Sequence, residues 1–157
     1  VTCEATSDQL GVSVSAAHRL LLRHPPQFTS SPGALVVALE HSGVELPVSV
    51  LAHPPVEGCD WSLDGRPLLP EGSPRHRLLP GGSLAIGNLS RGDAGTYGVS
   101  CRNSEGQAST HLHLRVHYPP AIVRVQDPVE VPEGGTAELL CLADGNPLPT
   151  GSLSWTR

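Results

Sequence analysis

Four cysteines, Cys3, Cys59, Cys101 and Cys141, are the residues best suited to covalent chemistry in this chain. None forms a C-x-x-C pair, the spacing from which zinc sites and redox-active dithiols are built. His111 and His113, in the run HLHLRVH at 111–117, are the other ligand-type pair. Strand alternation puts them on one face, opposite Leu112, Leu114 and Val116, with no carboxylate or cysteine close in sequence to complete a metal shell. That face reads as solvated. The chain contains no G-x-S-x-G elbow, phosphate loop or H-E-x-x-H helix. It is therefore expected to be no enzyme and to hold no metal or cofactor.

Bulk properties narrow the class further. The chain has 157 residues, 38% hydrophobic and 16% charged, which is ordinary for a folded globular protein. Aromatic content of 3% leaves too few rings for a base-stacking surface, and a net charge of −5 with scattered Arg and Lys gives no basic patch, so nucleic acid is not an expected partner. Seventeen glycines and sixteen prolines favour many turns and short strands over helices. No apolar run reaches the length needed to span a bilayer. With no signal peptide and no methionine, the chain is expected to be an internal piece of a longer protein.

The elements that position these residues follow from internal self-similarity. HPP at 24–26 returns as YPP at 118–120, and Trp61 returns as Trp155, both at an offset of 94 residues. Val44, Leu46, Val48 and Val50 alternate with Glu45, Pro47, Ser49 and Leu51, and Leu112, Leu114 and Val116 alternate with histidines and Arg115. Period two with one apolar face predicts half-buried strands. LDGRP at 63–67, LPGG at 79–82 and SEG at 104–106 supply the turns between them.

Trp61, Leu84-Ala85-Ile86, Asp93-Ala94-Gly95-Thr96-Tyr97, Cys141 and Trp155 together resemble the immunoglobulin superfamily. The expected fold is all-β: tandem immunoglobulin-like (I-set/C2-like) sandwiches, one complete and two truncated. Residues 1–24 would be the last strands (F and G) of one domain, 25–118 a complete domain, and 119–157 the first strands (A to C) of another. Trp61, Asp93, Tyr97 and Trp155 are the expected core and signature positions.

Within that frame Cys3 and Cys141 belong to different broken domains and are expected to be orphan half-cystines. The middle domain departs from the usual pattern. A cysteine is expected two residues after Tyr97, where the chain has Val99. Cys141 precedes Trp155 by fourteen residues; the same offset before Trp61 gives Pro47, and one deletion in the loop gives Val48, which has the inward parity of its strand. Cys59 lies two residues before Trp61 and Cys101 two after Val99. If Trp61 lies beside Val99 on neighbouring antiparallel strands, the two cysteines are directly opposed and on the same face, roughly 4.5–5.5 Å apart at Cα. A disulfide moved from between the sheets to within one sheet is expected; two free buried thiols are the other reading.

Two short motifs remain. Arg91-Gly92-Asp93 spells the tripeptide that integrins read, yet Asp93 also opens the D-x-G-x-Y corner, where its carboxylate should meet an arginine, Arg75 or Arg77. The corner role is preferred. Asn88-Leu89-Ser90 is a glycosylation sequon, while Asn146 is followed by proline and does not qualify as an acceptor.

From 40 to 157, the stretches EHSGVELPVSVLAHPPVEGCDWS, PRHRLLPGGSLAI, CRNSEG and VHYPPAIVRVQDPVEVPEGGTAELLCLADGNPLPTGSLSW resemble consecutive middle domains of the slit-diaphragm adhesion receptors of this superfamily. The resemblance implies a membrane-anchored parent whose extracellular domains sit at a cell junction and engage itself and Neph-family immunoglobulin proteins on adjacent cells. This segment would lie outside the plasma membrane. Another adhesion receptor or matrix protein, with a spacer or ligand-binding role, is the alternative; Arg102 is the candidate contact if the ligand were a carbohydrate.

Overall fold

A computed structural model describes residues 1–30, 32–69 and 73–156. Its first two strands, β1 (Thr2–Ser7) and β2 (Val12–Ala17), form an antiparallel hairpin that pairs Thr2 with Ala17 and Ser7 with Val12. Nearly every side chain of the hairpin is exposed.

The next ten strands build a two-layered sandwich. One layer holds β7 (Gly58–Leu63), β8 (Arg66–Leu68), β11 (Gly95–Asn103) and β12 (Gly106–Val125), in the order β12-β11-β7-β8. Its neighbours are antiparallel, and β4 (Ala34–Leu39) adds to β12 in parallel. The facing layer holds β5 (Val44–Leu46), β9 (His76–Leu78) and β10 (Leu84–Ile86), with β10 in the middle, and beside them β3 (His24–Phe28) paired with β6 (Val50–His53). Turn chemistry connects the strands as expected. Asp64 and Gly65 both take positive φ, 47° and 79°, the mirror-image turn that matches strand twist in a two-residue hairpin.

Alternation decides the core. Leu112, Leu114 and Val116 of β12 point inward, as do Tyr97, Val99 and Cys101 of β11. They meet Leu46, Leu84 and Ile86 from the opposite layer, with Trp61 between. Each fully buried aliphatic or aromatic side chain contributes roughly 1.5–3 kcal/mol of transfer free energy.

Two expectations need correction. The alternating run from Val44 to Val50 is two strands, because Pro47 has no N–H for the ladder. β5 pairs with β10, and after the break β6 pairs with β3. The second correction concerns Trp155. It lies outside any strand among the described residues and is 62% exposed, so it is no core residue here. After β12 the remaining described residues form a single further strand, β13 (Cys141–Asn146), and no second layer covers the indole.

β12 does not stop where the expected domain boundary falls. It runs through Tyr118-Pro119-Pro120 to Val125, and β13 pairs antiparallel with its far half, Val125 opposite Cys141 and Tyr118 opposite Asn146.

Candidate functional site

The middle sandwich is organised around the contact of β7 with β11. Their register places Val99 opposite Trp61 and Cys101 opposite Cys59. A disulfide joins the two cysteines within the sheet, with Cα atoms 4.1 Å apart, somewhat closer than the spacing expected from strand geometry alone. Trp61 is buried and its indole N–H donates a 2.9 Å hydrogen bond to the carbonyl of Gly82. Gly82 has φ of 94°, and a Cβ there would lie 2.7 Å from Cys59 Sγ. The loop backbone thus closes directly over the disulfide, a position only glycine can fill. Val48 packs against the core from the opposite layer while its N–H donates to Ser83 Oγ at 3.1 Å.

The corner before β11 is a closed polar unit. Residues Arg91–Asp93 form one 3-10 turn. One oxygen of the Asp93 carboxylate accepts from the Ser90 N–H at 2.7 Å, from the Ser90 hydroxyl at 2.9 Å and from the Arg75 guanidinium. The Tyr97 hydroxyl donates to the Asp93 carbonyl at 2.8 Å. Burial by itself would raise the Asp93 carboxyl, but the Ser90 bonds and Arg75 outweigh it and hold the group below the usual carboxylate value. Burial pushes the Tyr97 phenol upward, with the Asp93 charge adding to it. Asp93 is only 7% exposed, so the last residue of the integrin-type tripeptide is engaged inside the corner.

Its first residue is engaged as well. Arg91 Nε donates to Glu40 Oε1 at 3.0 Å and Nη1 to Asp144 Oδ2 at 2.7 Å. Its guanidinium carbon lies 3.9 Å from the centre of the Tyr118 ring, and the Tyr118 hydroxyl donates to the other Asp144 oxygen at 3.1 Å. The bond to Glu40 is the largest influence raising the already high Arg91 pKa, against partial desolvation. Desolvation, then the bond to Asp144, raises the Tyr118 phenol.

The remaining expected positions are dispersed. Asn88 is exposed, in the left-handed region with φ of 49°. Cys3 is exposed and Cys141 partly buried, both as free thiols. His111 and His113 stand on the solvent face with their rings 5.6 Å apart, and His113 Nδ1 lies 3.1 Å from Thr96 Oγ1. Among the described residues no three His, Cys, Asp or Glu side chains gather as a metal site would require. Arg102 is exposed and reaches Asp60 at 3.3 Å.

Sequence reasoning missed two clusters. One is the ring of Glu40, Arg91, Tyr118 and Asp144. The other is Asn103, whose amide donates to the carbonyls of His24 and Pro54, each at 2.9 Å, while its oxygen accepts from the N–H groups of Glu105 and Gly106. An Asn just before the Ser-Glu-Gly turn was a local signal for the second; the first joins residues far apart in sequence and had none.

The family model of the immunoglobulin I-set domain matches residues 26–116. Human nephrin is 43% identical over 157 residues, the whole of this chain and 13% of nephrin, so the chain spans about an eighth of that relative's length. Among solved structures, immunoglobulin domains 1–5 of Sidekick-1 are 26% identical with a TM-score of 0.55, covering 92% of this chain and 30% of that one. The four N-terminal immunoglobulin domains of Dscam1 share the fold at 23% identity and a TM-score of 0.66, over 95% of this chain and 42% of that one. The chain belongs to the immunoglobulin I-set family.

Proposed function

We propose that this chain is part of an extracellular cell–cell adhesion array, a non-catalytic segment resembling part of the nephrin ectodomain. The observation that carries the reading is the similarity to nephrin along all 157 residues. Displacement of the disulfide to Cys59–Cys101 supports a specialised array domain over a generic one. The domain organisation that fits is a complete sandwich at 25–118 between partial domains at 1–24 and 119–157. Cys3 and Cys141 then find their partners in the rest of the array. Asn88 carries the glycan, on the exposed side of the turn before β11.

In this role the module is a stiff bead and a lateral contact surface. Prolines at Pro25-Pro26 and Pro119-Pro120 restrain the joints. A row of such beads holds two membranes at a set distance, and weak contacts repeated along it add to a useful avidity. The partners are copies of the same protein and Neph-family immunoglobulin proteins on the neighbouring cell, at a slit-diaphragm-type junction of the plasma membrane. The test is aggregation of beads carrying the intact ectodomain, alone and mixed with beads carrying Neph proteins. Clustering in either arrangement supports adhesion; dispersed beads in both overturn it and favour a matrix or spacer role.

A further inference from the structure

The chain passes from the middle sandwich into the segment that follows without a flexible linker, because β12 is one strand from Gly106 to Val125. A lone strand is a weak constraint on angle, since it can still twist about its own axis even where Pro119-Pro120 restrain φ. Apolar packing does not close the elbow either. An open groove of about 560 Å³, lined by Leu39, His41, His117, Pro119, Pro120 and Pro147 among others, remains beside it. What spans the elbow is polar.

Arg91 sits on the 3-10 turn of the middle sandwich, and Asp144 on β13 lies 53 residues later. Between them stands Tyr118, at the elbow itself. The contacts close into a ring: Glu40 holds Arg91 Nε, Arg91 Nη1 holds one Asp144 oxygen, Tyr118 holds the other, and the guanidinium lies over the Tyr118 ring. Glu40 is the least exposed acid of the set, at 14% of its side chain, and its own N–H donates to the His117 carbonyl at 2.8 Å. It therefore holds the guanidinium from the sandwich side of the elbow, opposite Asp144. One further bond crosses the same place, from the Asn146 amide to the Val116 carbonyl at 2.8 Å.

We propose that Arg91 is an elbow latch, which with Glu40, Tyr118 and Asp144 holds the angle between the sandwich and the β13 segment. The planar guanidinium suits the task because it donates in two directions while stacking on a ring, which a lysine ammonium cannot reproduce. Isolated exposed ion pairs contribute little, but a network with a stacked ring is the case in which they count. The latch also accounts for the tripeptide at 91–93: both of its charged ends have internal work. The inference stands on this geometry and is independent of the adhesion reading.

The experiment is a pulsed electron resonance distance measurement on the full chain. Spin labels on non-natural residues replace Arg77 and Glu138, both exposed and on opposite sides of the elbow. The unmodified latch should give one narrow distribution. In Arg91→Ala and in Asp144→Asn, the population outside that peak should rise roughly two- to fivefold, as expected for losing a network of surface charges. Arg91→Lys should behave like the alanine variant, and 1 M salt should loosen the unmodified chain. Asp144→Asn changes one exposed oxygen, so it keeps the test valid if Arg91→Ala misfolds. Distributions of Asp144→Asn and of the high-salt sample that superpose on the unmodified one overturn the latch.

Discussion

Cys59 and Cys101 face each other across adjacent antiparallel strands, two residues along from the facing pair Trp61 and Val99. The bond closes a loop between residues 42 apart in sequence. It staples β7 to β11 within one layer and leaves the two layers held by side-chain packing and by hydrogen bonds such as those of Trp61 to Gly82 and Asn103 to His24. Replacing both cysteines by alanine is expected to cost about 2–4 kcal/mol, chiefly by freeing the unfolded chain. Urea unfolding of the double variant checks the magnitude. An unreduced peptide map must return the Cys59–Cys101 peptide, with Cys3 and Cys141 alkylated.

Gly82 should be among the least replaceable positions in the sandwich. A Cβ would fall 2.7 Å from Cys59 Sγ, and the φ of 94° is strained for any other residue. Gly82→Ala is expected to destabilise by about 1–3 kcal/mol through overpacking and backbone strain. Thermal unfolding, and a shift in Trp61 fluorescence as the indole loses the Gly82 carbonyl, would register the change.

Tyr97 tests the corner. Tyr97→Phe keeps the ring in the core and removes only the bond to the Asp93 carbonyl, so a loss of about 0.5–1.5 kcal/mol is expected. A loss as large as that of a cavity variant would mean that the ring itself had shifted.

Acid stability should follow Asp93. Its folded-state pKa is depressed, so the carboxylate contributes stability that is present above the ordinary carboxylate value, about 4, and is lost as pH falls through the lower folded value. Unfolding free energy measured from pH 6 downward should therefore fall, and Asp93→Asn should flatten that slope while lowering stability at neutral pH. At the alkaline end the raised Tyr97 phenol works with the opposite sign: its contribution is present below the ordinary phenol value, about 10, and fades above it.

For the proposed glycan, chain secreted from animal cells should lose one glycan mass on amidase treatment and in Asn88→Gln. Ser90→Ala should lose the same mass and also about 1 kcal/mol of stability, because Ser90 supports Asp93 as well as completing the sequon. An unchanged mass in Asn88→Gln would leave Asn88 as a turn residue only.

Much of this protein is local and was therefore readable. Alternation in β11 and β12, the Asp64-Gly65 turn and the Asp-Ala-Gly-Thr-Tyr corner each depend on neighbours a few residues away. The pairing of Cys59 with Cys101 followed because Trp61 and Val99 anchor the register and a period of two carries it outward. The break at Pro47 is legible in its missing N–H, whereas alternation alone predicts the single long strand that the structure divides.

The chain's order of residues alone thus determined which faces turn inward, where turns fall and which cysteines could meet. Burial was another matter. Trp61 and Trp155 look equivalent in sequence, yet one is 2% exposed and the other 62%, because a tryptophan is buried only where a second layer packs against it. The partners of Arg91 were equally out of reach. Glu40, Tyr118 and Asp144 come from three separated stretches, and side chains on a strand, a turn and a distant strand become neighbours only when tertiary packing bends the chain to bring them together.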